Sequence, residues 1–216
     1  HSELLFIIAL SEQCFLNEYS YEISAQEEES INEIINKCRN KRINEKYISI
    51  LACYFPLYKL LERVPDLKSF NSSIDQFNSL ITLQIEEPLK EIKIAKTIKK
   101  IGNINNNISK KVQCQYENHP YPRWRYANPS KQLKVSPIEL INDEISPNSL
   151  SSNLCSNKIK VLVAGCGTGQ HILHAHRYRN VEITAIDLST SSLSYAHRKM
   201  VELEINNVKL IQMDIL

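Results

Sequence analysis

The whole chain of 216 residues has four glycines, and three of them, Gly165, Gly167 and Gly169, fall within five positions of one segment, VLVAGCGTGQ at residues 161–170. They follow directly on a short apolar run at 160–164. Glycine permits positive φ and removes the Cβ that would hold a ligand off the main chain. In so glycine-poor a chain, this concentration marks a strand-to-helix turn where a ligand lies against the backbone. A helical run follows, then a second strand over 181–186, a helix over 189–205 and a third strand over 208–215. Strands alternating with helices predict a parallel sheet, with the ligand at the carboxyl edge of its strands. The C-terminal part therefore reads as α/β, the βαβαβ half of a Rossmann-like sheet.

The spacing here is G-x-G-x-G. A dinucleotide fingerprint, G-x-G-x-x-G, needs glycine at 170, where this chain has Gln170. No lysine follows as in a phosphate loop, which argues against a nucleoside triphosphate. Asp187 closes the second strand, 22 residues beyond Gly165. A carboxylate there can accept hydrogen bonds from both ribose hydroxyls. Asp214, at the end of the third strand, offers an acceptor for an adenine amino group. Cys166 lies inside the turn, where a small side chain fits, and carries no redox or nucleophilic assignment.

Upstream the period is helical. Leu4, Ile8, Phe15 and Tyr19 share one side of a helix, and Ser24 and Glu27 have capping-box spacing. Ile31, Ile34, Ile35 and Cys38 mark an amphipathic helix, and Tyr47, Ile50, Leu51 and Tyr54 another that stops near Pro56. Ser73 and Gln76 predict a second capping box, and Pro88 the start of a further helix. This region reads as a bundle or the end of a helical-repeat solenoid. Between Lys90 and Lys111 the chain turns basic, with the first lysines spaced by three along one helical stripe; residues 102–107 (GNINNN) read as a loop. Residues 142–158, rich in Ser, Asn and Pro, predict an irregular connection. The expected division is a helical region at 1–111, a linker or lid segment at 112–158, and a partial nucleotide-binding domain at 159–216.

Composition bounds the partners. A formal net charge of +2 and a pI near 8.2, with no aromatics between the lysines, argue against nucleic acid. The longest early apolar run, residues 4–10, is too short to span a bilayer and has no basic region before it. The six cysteines form no C-x-x-C pair, as expected of reduced thiols in the cytoplasm. The chain begins with His inside a helical pattern and stops just after a strand, so it reads as a fragment.

VLVAGCGTGQ, then AIDLS, then SLSYAHRK, then LIQMDIL, resembles the first half of a class I S-adenosylmethionine-dependent methyltransferase. The resemblance implies that Gly165, Gly167 and Gly169 line the methionine and ribose portions of the cofactor, with Cys166 among them. It further implies that Asp187 binds the ribose hydroxyls, Leu188 packs on adenine and Asp214 meets the adenine amino group. Many family members carry Asp or Glu just before the first glycine, where this chain has Ala164. Residues 115–124, QYENHPYPRW, resemble the segment preceding the enzyme domain in bacterial proteins that join tetratricopeptide repeats to it. The stretches 12–19 and 51–60 are similar to the bridge in the same proteins.

Tyr116, His119, Tyr121, Arg123 and Trp124 cluster before the sheet, on a path stiffened by two prolines. Tyr121, Arg123 and Trp124 are candidates for a lid over the cofactor. His171, His174 and His176 resemble a metal cluster, but a helix turns His176 away from the other two, so no metal is assigned and His171 is expected near the pocket. Methyl transfer is a direct displacement in which the protein places the reactants. The family's acceptor-side residues follow the fourth strand, so no catalytic residue is assigned, and the fragment alone is expected to be inactive. Without that strand the outer edge of the first is expected to be open. The acceptor could be a small molecule, a protein or a glycan precursor, and the helical region could bind a protein partner. The competing readings are a nicotinamide-dependent oxidoreductase and a non-enzymatic helical interaction protein with a vestigial nucleotide-binding domain.

Overall fold

The computed structural model describes residues 2–127, 134–145, 147, 149–151 and 158–215. The chain divides into two compact units, His1–Lys90 and Glu91–Leu216.

The first unit is helical. α1 (Ser2–Leu16) buries Ile8 and Phe15, and α2 (Ala25–Arg39) buries Ile31, Ile35 and Cys38. The expected capping box opens α2: Ser24 Oγ accepts from the Glu27 amide, and Glu27 Oε2 accepts from the Ser24 amide at 2.9 Å. α3 (Glu45–Ala52) is capped by Asn44, and its inward face is Ile48, Leu51 and Ala52, with Tyr47 and Tyr54 at the margin of the core. α4 (Asp75–Ile81) starts one residue later than the Ser73–Gln76 box requires, and that box does not form. Instead Ser72 Oγ accepts from the Ile74 amide at 3.1 Å, and the Ser72 carbonyl accepts from Asn78 Nδ2 at 3.0 Å.

α4 runs through a π-turn, Thr82–Glu86, into α5 (Glu87–Ala95). Pro88 is the second residue of α5, as expected of a helix start, although α5 follows the π-turn without a break. Its ring would crowd the carbonyl one turn back in a regular helix. The wider π-turn ends at Glu86, two residues before it, with the Glu87 amide donating to the Thr82 carbonyl. The same turn carries Gln84, which is fully buried yet satisfied on both sides. Its Nε2 donates to the Ser11 and Ala52 carbonyls at 3.0 and 3.1 Å, and its Oε1 accepts from the Leu57 amide at 3.2 Å and the Tyr19 hydroxyl at 3.3 Å. A half-satisfied amide there would cost about 1–3 kcal/mol.

The second unit is built on a parallel sheet of β1 (Lys99–Lys100), β2 (Ile159–Ala164), β3 (Val181–Asp187) and β4 (Val208–Gln212), in the order β1-β4-β3-β2. β1 departs from the sequence expectation. Lys99 and Lys100 belong to no helical stripe, because α5 ends at Ala95; they pair with Ile211 and Gln212. Two adjacent lysines carry no apolar alternation, and an exposed edge strand tolerates them for that reason. At the other end β2 is the terminal strand, with Leu162 64% exposed. The division at Lys90 differs from the compositional one at 111 because β1 bonds to β4 and α6 (Asn107–Asn118) packs on α9 (Thr190–Glu202).

α7 (Pro137–Glu144) takes in residues 142–144 of the stretch expected to be irregular; most of the remainder of that stretch lies outside the described residues. α8 (Gln170–His176) and α9 cover the sheet. Gly169 has φ +96°, and a Cβ built on it would stand 2.9 Å from Ala196 Cβ in α9. α9 is buried nearly all round, including Arg198 and Lys199. Arg198 pairs with Glu91 at 2.8 Å, and Lys199 donates to the Arg125 carbonyl at 2.8 Å and to Glu202 at 2.7 Å. No described helix is long and apolar enough to cross a membrane.

Candidate functional site

The sheet delivers three chain ends to one edge. Ala164 pairs with Ile186 and Asp187 with Gln212, so the glycine turn, the aspartate and the end of β4 meet there. The Cys166 amide donates to the Ile186 carbonyl at 3.0 Å, and the Met213 amide donates to the Asp187 carbonyl at 3.0 Å. Above this edge lies a cavity of about 370 Å³. Its floor is Gly165, Cys166, Gly167 and Thr168, its rim Asp187 and Leu188, and its outer wall Val112, Tyr116, Tyr121 and Pro122.

Asp187 is aimed by the backbone. Its Oδ2 accepts from the Gly167 amide at 2.8 Å and its Oδ1 from the Ser189 amide at 2.9 Å. A carboxylate has about four acceptor sites, so two stay available to hydroxyls in the cavity. Gly167, at φ +51°, has nothing within 4 Å of a built Cβ, and the same space is open at Gly165. These two positions form a cradle that a side chain would fill. Gly169 does not line the cavity; it sets the close packing of α8 on α9. Ser192 also lines the cavity and keeps a buried hydroxyl without a hydrogen-bond partner among the described residues.

Cys166 is buried, and burial, followed by the neighbouring Asp187, pushes its thiol up to about 12. It stays protonated at neutral pH and acts as small apolar filling.

The candidate lid residues separate. Tyr121 lines the cavity and is 57% exposed. Trp124 is buried in the core beside the sheet: its indole N–H donates to the Thr168 carbonyl at 3.0 Å, and its ring meets Tyr195 edge-on. Arg123 reaches Glu91 at 3.7 Å. Thr168 Oγ1 donates to the Pro122 carbonyl at 2.7 Å. Residues 122–124 are thereby tied to the glycine turn from both sides. Asp214 is not part of the lining, which takes Met213 and Ile215 from the same stretch. His171 lines the cavity, whereas His176 turns to Asn207 at 3.2 Å. No group of three His, Cys, Asp or Glu is placed to hold a metal among the described residues.

Glu117, which the sequence reading passed over, anchors the outer wall. Its carboxylate accepts from the Thr190 and Ser191 amides at 2.7 and 2.9 Å, and from both hydroxyls. Burial pushes its carboxyl upward, but those hydrogen bonds outweigh burial and hold it below the usual value. A carboxylate held low in the folded state adds stability above its unfolded value of about 4.3 and loses it as pH falls through the lower, folded value. Acid titration of the melting temperature should therefore show the wild-type protein converging on a Glu117→Gln variant as pH drops below about 4. Parallel curves across that window would contradict it.

Residues 161–216 match the family model described as a methyltransferase domain. The matched segment carries most of β2, the glycine turn, β3 with Asp187, α9 and β4. Comparison with curated proteins finds no match. The domain match supports a methyltransferase activity in general, and the parallel sheet is consistent with a Rossmann-like methyltransferase half.

Proposed function

We propose that the cavity over the glycine turn binds S-adenosylmethionine and that the protein transfers its methyl group to an acceptor. The observation that carries this reading is the pairing of an open cradle at Gly165 and Gly167 with a carboxylate, Asp187, fixed by the Gly167 and Ser189 amides at its rim. The cavity volume, the apolar Leu188, Met213 and Ile215 beside Asp187, and the unpartnered Ser192 hydroxyl all fit an adenosyl group. When bound, the sulfonium supplies an electrophilic methyl group for direct displacement. The chain's own contribution is placement. Asp187 holds the ribose hydroxyls, the bare main chain of the turn lets the ligand approach, and Tyr121 with Pro122 covers the cavity against water. Asp214 lies one residue from two lining positions and is the acceptor proposed for the adenine amino group.

The 115–124 segment supports placing the chain in the tetratricopeptide-linked subgroup, with the helical unit available to a protein partner. Five described cysteines are free thiols, which supports a cytoplasmic setting.

Isothermal titration with S-adenosylmethionine, its demethylated product and NAD tests the reading. Binding of the first two and silence from the third is expected. No heat from either adenosyl compound, or equal binding of NAD, would refute it. Gly167→Ala sharpens the test, because its Cβ meets open space but intrudes on the ligand's position. The left-handed backbone costs roughly 1–2 kcal/mol, so the variant should stay folded by circular dichroism while affinity falls about tenfold or more.

A further inference from the structure

We infer that Glu117 is a positioning residue of this site: it clasps the last turn of α6 to the first turn of α9 and so holds the outer wall of the cavity against the Asp187 rim. The inference rests on the cofactor reading for its functional meaning, but the clasp itself is a matter of geometry. Helices leave their first amides unpaired and usually fill them locally, with an acidic or amide side chain three residues after the cap. α9 has Ser189 at its cap and no acidic residue in its first turn. The carboxylate comes instead from a residue more than seventy positions upstream. Two further bonds reinforce the join. Ser189 Oγ donates to the Tyr116 carbonyl at 3.0 Å, and the Ser191 hydroxyl lies 2.9 Å from the Glu117 carbonyl.

α6 has little else to hold it. Its only buried residue is Ser109, and Ile108 is 68% exposed. Yet Val112 and Tyr116, one turn apart on α6, form part of the cavity wall. A helix with so little apolar burial is positioned mainly by its polar anchor, and here that anchor lies next to Tyr116 in the chain. On the far side, Ser189 is two residues from Asp187, and its amide donates to the Asp187 carboxylate. The clasp therefore joins the wall and the rim at one point. Its loss frees α6 without removing any group that lines the cavity.

Three full-chain variants test this: Glu117→Ala, Glu117→Gln, and Thr190→Val with Ser191→Ala. Glu117→Ala should weaken S-adenosylmethionine binding about tenfold, the usual scale for losing charge-assisted bonds. Glu117→Gln keeps one acceptor oxygen and should recover part of that loss. The Thr190/Ser191 variant keeps the two amide bonds to Glu117 and should lose a smaller factor, and combining it with Glu117→Ala should add little beyond Glu117→Ala alone, since its hydroxyls then have no carboxylate to meet. Hydrogen exchange of the free protein should show the amides of 112–119 and Tyr121 exchanging at least about tenfold faster in Glu117→Ala, with α1 to α3 unchanged. Full additivity of the two losses, or unaltered exchange at those amides, would overturn the clasp. If Glu117→Ala does not fold, the Gln and Thr190/Ser191 variants decide by the same two readouts. If the wild-type protein binds no adenosyl compound, the cofactor reading fails and exchange alone judges the clasp.

Discussion

Asp187→Ala should lower S-adenosylmethionine affinity by about a hundredfold or more, read by isothermal titration against the wild-type protein. Two hydrogen bonds from ribose hydroxyls to a charged acceptor are worth roughly 1.5–3 kcal/mol each. Part of the loss comes from the turn itself, because the Gly167 and Ser189 amides lose their acceptor in the same substitution. Asp187→Asn separates the two contributions. It keeps one acceptor oxygen and the side-chain volume, so it should fall between the wild-type protein and the alanine variant. Affinity untouched by either substitution would remove the aspartate from the site and the adenosyl reading with it.

Gly169→Ala is the second large effect, and it acts on the fold. The new methyl would lie 2.9 Å from Ala196 Cβ and 3.3 Å from Ala196 Cα, in a backbone at φ +96°. Strain at such a φ costs about 1–3 kcal/mol and overpacking about 1–3 more. A destabilisation of about 2–4 kcal/mol should lower the melting transition by roughly 5–15 °C. Adding Ala196→Gly removes the clash but leaves the strained φ, so it should restore part of the loss. A Gly169→Ala protein as stable as wild type would show that α8 and α9 are not held at this distance. The contrast with Gly167→Ala is diagnostic: one glycine serves packing and the other serves the ligand.

Much of the cavity's lining was legible because its signals are local. Gly165, Gly167 and Asp187 combine short spacing with chemistry that few other turns require, and the strands between them follow from apolar runs. The third glycine was legible as a turn but not as a packing contact, since the partner that excludes a side chain is Ala196, far along the chain. Glu117 gave no signal either. A glutamate near a helix end is common, and only the fold brings Thr190 and Ser191 to it. Trp124 read as a lid because aromatic residues before a cofactor domain invite that role. Its indole instead bonds to Thr168, a partner visible only once the turn is built. β1 escaped because two lysines have the same pattern in any secondary structure. Pro88 marked the first turn of α5, but the π-turn that joins α4 to α5 was not legible, because sequence period does not announce such turns.

The strand order β1-β4-β3-β2 also imposes a sequence of events on the growing chain. β2, β3 and β4 pair with near neighbours through single crossovers, whereas β1 must wait for β4, more than a hundred residues later. Closing so long a loop is entropically costly and gains only a two-residue ladder, so this pairing depends on contacts made alongside it. The ribosome therefore releases the upstream segment long before its berth exists, and the β1 edge of the sheet is completed only once β4 has been synthesised.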